Sequence, residues 1–476
     1  MAAMNPNEPL PSYLPPQPYN IIADTDSYKL GHWRMYRQGT TTVYSYIESR
    51  GGRYPCVMFA GLQKLLYEKL GQPITREQVE EMAKFTPAHG FKFNRAGWER
   101  ILSEHGGRLP LRITAVAEGL VVPVKNALFT VENTDPELPW LTSYFETMIL
   151  RDLWTACTIA TRIFYMTRRI NAYWTPRSDN PMSPFALLDF SSRGTMGYDH
   201  SVIGGIAYLF HFQGSDNVPA VRAANYYYFS DMAGFSVSAT EHSISSSFGR
   251  DNDDDYIGNT IEHGVDPGGV LSLVGDTWDI FRFTEKLANY KDIIRAKGIK
   301  IVARPDSGEL EDVLPGVVSR LAHGFGTTTN GKGFEVINLG AAMLQGDGMN
   351  EETHMLPFQI AASLKIAPDS IITAAGGGLM TADLDRDTNK WAMKASEMVI
   401  HGQRVPIFKD PITDPGKTSK SGRFALIRND AGAFLTIGRE NDAEDYADLL
   451  ETRYLDGEVL NPHTLDQIRE RVSAQL

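Results

Sequence analysis

Between Phe185 and Gly378 one pattern recurs: a short apolar run, a polar or glycine-rich terminus, then a stretch long enough for a helix. The runs are FALLDF before SSRG, FSVSAT before EHS, VLSLV before GDTWD, KIVA before RPDSG, AAMLQ before GDG, and IITAA before GGG. Wholly apolar strands separated by helices belong to a parallel sheet covered on both faces, so the fold class expected is α/β. With about six units such a sheet can close as a barrel, and the residues just past each strand's C-terminal end then share one rim. A doubly wound open sheet uses the same edge and stands as the alternative.

The flanks read differently. TTVYSYIES and LRITAVAEGLVVPVKNALFTVEN alternate as antiparallel strands do, and RFALIRNDAGAFLTI reads as a hairpin turning at Asn429–Gly432. These segments predict one discontinuous α/β domain, residues 21–155 and 395–476, beside a barrel of residues 156–394. The proline-rich start, residues 1–20, reads as a flexible arm without the basic end and apolar run of a signal peptide. The most apolar helical stretch, Trp140 to Met166, is broken by Glu146, Arg151 and Asp152 and is expected to be a core helix, not a membrane span.

Charge and cysteine content narrow the partners. A net charge of −12 argues against non-specific nucleic-acid binding, which needs a basic surface. An anionic ligand would need cations gathered locally in a cleft. Two cysteines, Cys56 and Cys157, offer neither a disulfide framework nor a zinc spacing, which suits a reducing cytoplasm. The acidic run DNDDDY, Asp251 to Tyr256, lacks the spacing of a calcium loop and reads as a solvated loop.

The expected rim gathers Asp189, Arg193, Glu241, His242, Asp276, Asp279, Arg304, Asp306 and Asp347 with two glycine runs. Gly346-Asp347-Gly348 and Gly376-Gly377-Gly378 together suggest a phosphate cradle, because glycine lets backbone amides approach oxygens closely. In ARPDSG the rigid Pro305 sits between Arg304 and Asp306. A carboxylate there can accept from two vicinal hydroxyls, and a guanidinium suits phosphate or carbonyl oxygens, so cradle and carboxylate together suggest a ribose phosphate. GTTTNGKG, Gly326 to Gly333, misses the P-loop pattern at its last position, precedes a strand, and reads as a surface turn.

At this point the residues resemble the nicotinamide phosphoribosyltransferases, within the wider family of nicotinate and quinolinate phosphoribosyltransferases. The blocks carrying the resemblance are DTDSYKLGH, VYSYIESR, FAGLQ, LFTVENTDPELPWLTSYFET, LLDFSSRG, FQGSDNV, SVSATEHS, ARPDSG, LQGDG, AAGGGLM and FKDPITDPGKTSKSGR, in order along most of the chain. The resemblance implies an incomplete α/β barrel of the type II phosphoribosyltransferase kind, with a second discontinuous α/β domain. It also implies a head-to-tail homodimer with active sites at the interface. The implied reaction joins nicotinamide to 5-phosphoribosyl 1-pyrophosphate, with Mg²⁺ on the pyrophosphate and ATP as co-substrate.

Carried over by position, the resemblance implies that Phe190 of one subunit and Tyr28 of the other sandwich the pyridine ring, with Asp26 close by. Arg193, Asp216 and Ser272 would meet the amide, and Asp216 would favour it over the carboxylate of nicotinate. Gly346, Asp347, Gly376 and Gly377 would hold the 5′-phosphate, and Arg304 and Asp306 the ribose. Arg50, Arg386, Lys394, Lys409 and Lys417 would meet pyrophosphate or ATP. His242 would be the phosphorylated histidine, oriented by Asp276 or alternatively by Glu241. GTMGYDHS, the serines before Arg193, and Ala375 depart from the family's pattern. Rival readings are a nicotinate phosphoribosyltransferase, a non-catalytic binding protein on the same scaffold, and a phosphate-binding barrel lyase or isomerase. The last would want a rim lysine or a paired acid and base, and no strand end in the rim set carries lysine.

Overall fold

The computed structural model describes residues 14–413, 418–439 and 446–476. At its centre lies an all-parallel sheet of six strands: β1 (Leu187–Asp189), β2 (Ser238–Ala239), β3 (Val270–Val274), β4 (Lys300–Arg304), β5 (Ala342–Gln345) and β6 (Ile371–Ala375). Their order is β1-β6-β5-β4-β3-β2, and every pairing is parallel. The six apolar runs are these six strands. Helices such as Asp253–His263, Ile280–Leu287, Leu310–Phe325 and Leu356–Ser363 cover the outside. Most strand residues are buried, as a sheet covered on both faces requires.

Neighbours that follow in sequence around the sheet exclude the doubly wound order. The ladder nonetheless stops short of regular closure. Between β1 and the β2 segment the described residues offer single bridges only, Asp189 to Ser215 and Gly214 to Phe235. The cause is local: helices Tyr198–Leu209 and Val218–Tyr227 leave little extended chain between them. The fold is therefore an incomplete α/β barrel.

The second sheet is wholly antiparallel and has seven strands, in the order Gln403–Pro406, Trp391–Ile400, Thr40–Ser49, Ala127–Asn133, Leu111–Ala115, Glu451–Leu455 and Glu458–Val459. Its strands come from both flanks. The hairpin Phe424–Arg428 with Phe434–Gly438 forms, but as a separate two-stranded sheet. The expected boundaries at 155/156 and 394/395 both fall inside elements, the helix α1 (Glu146–Trp174) and the strand Trp391–Ile400. α1 belongs to both halves. Its Met148, Ile149, Leu153 and Cys157 enter the core under the antiparallel sheet, and its Ala156, Ile159 and Ile163 enter the barrel core. The last helix, Leu465–Ser473, buries Leu465, Ile468 and Val472 in the barrel core although it follows the antiparallel flank.

Other expectations are corrected or completed here. Asp253–Asp255 are not a loop; they open the helix Asp253–His263, where carboxylates suit the helix dipole, and Arg282 and Lys286 pair with them. The near P-loop is the turn of the hairpin Thr327–Thr329 with Glu335–Ile337. Of the expected arm, residues 1–13 lie outside the described residues; Leu14–Tyr19 are exposed, and Asn20 is buried with its Nδ2 on the Gln78 carbonyl at 3.0 Å. Among the described residues no helix is long and apolar enough to cross a membrane.

Fully buried His354 gives the fold a pH dependence. Burial, with the Arg169 charge beside it, pushes the imidazole down to about 4. The unfolded chain protonates this group near pH 6.5, so unfolding takes up a proton below that point. Its contribution, about 3 kcal/mol, is complete above pH 6.5 and is lost as the pH falls toward 4. Melting midpoints are expected to fall between pH 7 and pH 5; a flat profile over that window would contradict a neutral, buried His354.

Candidate active site

The rim is built from strand ends that tie one another in place. Thr240, last residue before Glu241, donates its N–H to the Ser272 carbonyl at 3.0 Å, and its hydroxyl accepts from the Val274 N–H at 3.0 Å. Its carbonyl accepts from Arg304 Nη2, also at 3.0 Å. The ends of β2, β3 and β4 thus share one buried threonine. His242 then starts the short helix His242–Ser247 with its side chain half-exposed.

Asp276, not Glu241, holds the imidazole. His242 Nε2 lies 3.0 Å from Asp276 Oδ1, and that carboxylate is 5% exposed. Asp276 Oδ2 accepts from the Asp306 N–H at 3.1 Å and from the Ser307 hydroxyl, so the acceptor is itself fixed by the loop after β4. Glu241 is exposed and accepts from the Ser243 hydroxyl instead. With Nε2–H donating to Asp276, the free lone pair falls on Nδ1, the arrangement a nucleophilic imidazole needs.

Three chemically different groups meet at Gly346. A methyl placed on it would lie 3.8 Å from the Phe190 ring and 3.9 Å from Asp306 Oδ1. Phe190 packs on the apolar interior formed by Val302, Ala342, Leu344 and Ala374, and its N–H is held by the Ala375 carbonyl at 3.0 Å. Asp347 is exposed next door. Gly376 faces open space, whereas Gly377 abuts Gly194: a methyl on Gly194 would stand 2.6 Å from Gly377 Cα. That contact presses the Ser192–Gly194 turn, with exposed Arg193, against the triple glycine. Asp189 fixes the start of the same turn from below. It is enclosed, accepts from the Ser191 N–H and from the Ser191 and Ser215 hydroxyls, and burial raises its pKa.

Two polar groups complete the rim. Asp216 is exposed and accepts from the Ser236 hydroxyl at 2.6 Å. Ser272 is 3% exposed, and its hydroxyl has no hydrogen-bond partner. A buried orphan hydroxyl is costly, so it suits a site completed by a ligand.

The remaining candidates lie on the antiparallel half. Tyr28 is 55% exposed beside Lys394 in an open cleft of about 420 Å³ whose lining includes none of the barrel-rim residues. Asp26 accepts from the Thr147 hydroxyl at 2.7 Å. Lys394 is largely buried; burial first, then the charges of Arg50, Arg386 and Lys29, hold its ammonium below the usual lysine value against the pull of Glu146. Arg50 is largely buried, with Nη2 lacking a hydrogen-bond partner and Nε 3.5 Å from Glu48. Arg386 pairs with Asp387 at 3.3 Å, and Lys409 is exposed. Lys417 lies outside the described residues. In a chain of net charge −12, Arg50, Arg386 and Lys29 thus stand close enough to Lys394 to act on its charge, a local gathering of cations of the kind an anionic ligand requires.

Sequence reasoning missed Thr240, Ser307 and Gly194 as supports of the site. Each adjoins a recognised motif, but their roles depend on contacts between strands that are neighbours only in space.

Comparison with known proteins agrees with this geometry. Residues 20–113 match the model of the nicotinamide phosphoribosyltransferase N-terminal domain, and residues 185–458 that of the nicotinate phosphoribosyltransferase (NAPRTase) family. A protein of Xanthomonas campestris pv. campestris named nicotinamide phosphoribosyltransferase is 37% identical over 463 residues, covering 96% of this chain and 98% of its own. One of the same name from Acinetobacter baylyi is 30% identical, covering 96% of this chain and 97% of its own. Among solved structures, the nicotinate-nucleotide pyrophosphorylase of Pyrococcus furiosus superposes with a TM-score of 0.63 at 16% identity, over 98% of both chains. The human nicotinic acid phosphoribosyltransferase does so with 0.59 at 16% identity, over 94% of this chain and 93% of its own. Those two likenesses speak for the fold. The family match runs over more than half the sequence and takes in every strand of the barrel, so this chain belongs to the nicotinate phosphoribosyltransferase family.

Proposed function

We propose that the chain is a nicotinamide phosphoribosyltransferase, converting nicotinamide and 5-phosphoribosyl 1-pyrophosphate to nicotinamide mononucleotide and pyrophosphate in NAD salvage, as a cytoplasmic homodimer. The observation that carries this reading is the convergence of the Phe190 ring and the Asp306 carboxylate on Gly346, with Gly376 open on the neighbouring loop. A flat base, a vicinal diol and a phosphate have one partner each there.

The chemistry asks for little covalent help. The pyridine nitrogen attacks C1′ as the bond to the pyrophosphate oxygen breaks, and positive charge builds on the sugar. Asp306 and Arg304 hold the ribose in line, Gly346, Asp347, Gly376 and Gly377 hold its 5′-phosphate, and Phe190 stacks on the base. Arg193, Ser272 and Asp216 address the amide. Tyr28, Asp26 and the cations Arg50, Arg386, Lys394, Lys409 and Lys417 come from the partner subunit and stabilise the departing pyrophosphate. The separation of the Tyr28 cleft from the barrel rim supports this division between subunits.

Mg²⁺ fits as a passenger of the substrate. Asp306 and the exposed Asp347 offer carboxylates at the rim, where hard oxygen ligands would meet an ion held mainly by phosphate oxygens and water. The ion would neutralise charge on the leaving group. His242 serves ATP: Nδ1 attacks the γ-phosphorus, the bond to the ADP oxygen breaks, and water later releases phosphate from the imidazole. Its hydrogen bond to buried Asp276 supports that role.

Asp216 decides between the two bases. Its carboxylate accepts from an amide N–H and repels the carboxylate of nicotinate. Asp216→Asn is expected to shrink the ratio of kcat/KM for nicotinamide to that for nicotinate by about tenfold or more. Parallel assays with both bases check this, and an unchanged ratio assigns selectivity elsewhere. A parent enzyme that prefers nicotinate would favour the rival assignment.

A further inference from the structure

The loop after β5 carries a carboxylate that the transfer chemistry does not use. Glu351 has only 6% of its side chain exposed, yet one hydroxyl and three guanidiniums surround it: Tyr54 Oη donates to it at 2.6 Å, and Arg53 Nη2 at 3.1 Å, Arg162 Nε at 3.3 Å and Arg169 Nη2 at 3.6 Å form ion pairs with it. These groups come from two places. Arg53 and Tyr54 lie on the loop that also bears Arg50, between Thr40–Ser49 and Cys56–Met58; Arg162 and Arg169 lie on α1.

Arg162 reaches further. It is 1% exposed, and its other nitrogens donate to the carbonyls of Gly378 at 3.1 Å, Leu379 at 3.4 Å, and Ala382. Those carbonyls close the single helical turn Gly378–Thr381, which follows directly on Gly376 and Gly377. One buried guanidinium–carboxylate pair therefore joins the 346–348 loop, the 376–378 loop and α1, while Arg53 and Tyr54 add the loop of Arg50. A buried ion pair is weak evidence for stability, since desolvation offsets much of its attraction; fixing a register is its better-attested use.

We propose that Arg162 and Glu351 are positioning residues that hold the two glycine loops in one register, so that the 5′-phosphate of the sugar substrate meets a preset pocket. The proposal rests on the phosphoribosyl-transfer reading and adds residues to it. The sign of the effect separates it from simple electrostatics. If Glu351 acted only as a charge, its removal would leave three guanidiniums uncompensated and tighten anion binding. If it acts by positioning, removal loosens the loops and weakens binding.

The test compares the full chain with Glu351→Gln and, as the milder change, Tyr54→Phe, which deletes one hydrogen bond to Glu351. Two readouts are used: calorimetric binding of ribose 5-phosphate, and KM for each substrate. Glu351→Gln is expected to weaken ribose 5-phosphate binding and raise KM for phosphoribosyl pyrophosphate about tenfold, with KM for nicotinamide within about twofold. Tyr54→Phe is expected to do the same about threefold, and it decides the matter should Glu351→Gln fail to fold. Unchanged or tighter ribose 5-phosphate binding overturns the proposal, as does equal loss of affinity for both substrates. A parent protein that binds ribose 5-phosphate but forms no pyridine nucleotide sinks the transferase reading instead, and the binding comparison still judges the positioning role.

Discussion

Replacing His242 by alanine is expected to abolish ATP hydrolysis while a slow, ATP-independent transfer persists. The imidazole is half-exposed, so its loss leaves no buried cavity. Asp276 keeps its bonds from the Asp306 N–H and the Ser307 hydroxyl, so the ends of β3 and β4 remain joined. The variant should therefore fold normally and lose only the phosphoryl acceptor. Removing a nucleophile typically costs several orders of magnitude in rate, so ATPase activity should fall about 1,000-fold or more. Measuring phosphate release and nucleotide formation in the same samples checks this. Equal ATPase rates in parent and variant would deprive His242 of the role.

Asp306→Ala tests the sugar site with a comparable effect. The Asp306 backbone N–H, not its side chain, holds Asp276, so the variant spares the pairing of Asp276 with His242. Two charge-assisted hydrogen bonds to the ribose hydroxyls are lost, at about 1.5–3 kcal/mol each. The expected result is a fall in kcat/KM for phosphoribosyl pyrophosphate of about 100-fold or more, with the melting temperature nearly unchanged. A change of less than about threefold would remove Asp306 from the ribose site.

The two levels of reading differ in what they can see. The six barrel strands were legible because a parallel strand buried on both faces leaves an uninterrupted apolar run, and each such run ends at a polar or glycine-rich rim. Family blocks then named the candidate residues around that rim. Which carboxylate faces His242 was not legible: Glu241 is adjacent in sequence, while Asp276 arrives from β3 through the parallel pairing of Ser238 with Leu271 and Ala239 with Ser272. The acidic run misled because three successive aspartates read as a solvated loop, whereas their partners Arg282 and Lys286 lie on the following helix. Glu351 stayed hidden for the same reason; the tyrosine and three arginines around it are separated from it by nearly two hundred residues or more of chain.

The backbone contact between Gly194 and Gly377 has a further consequence. With no side chain between them to adapt, the turn that presents Arg193 and the loop that presents Gly376 cannot move closer together. The shortest distance between the two is therefore set by main-chain thickness. The jaws cannot close in on a ligand that is too short, and even a single methyl added at either glycine would push them apart.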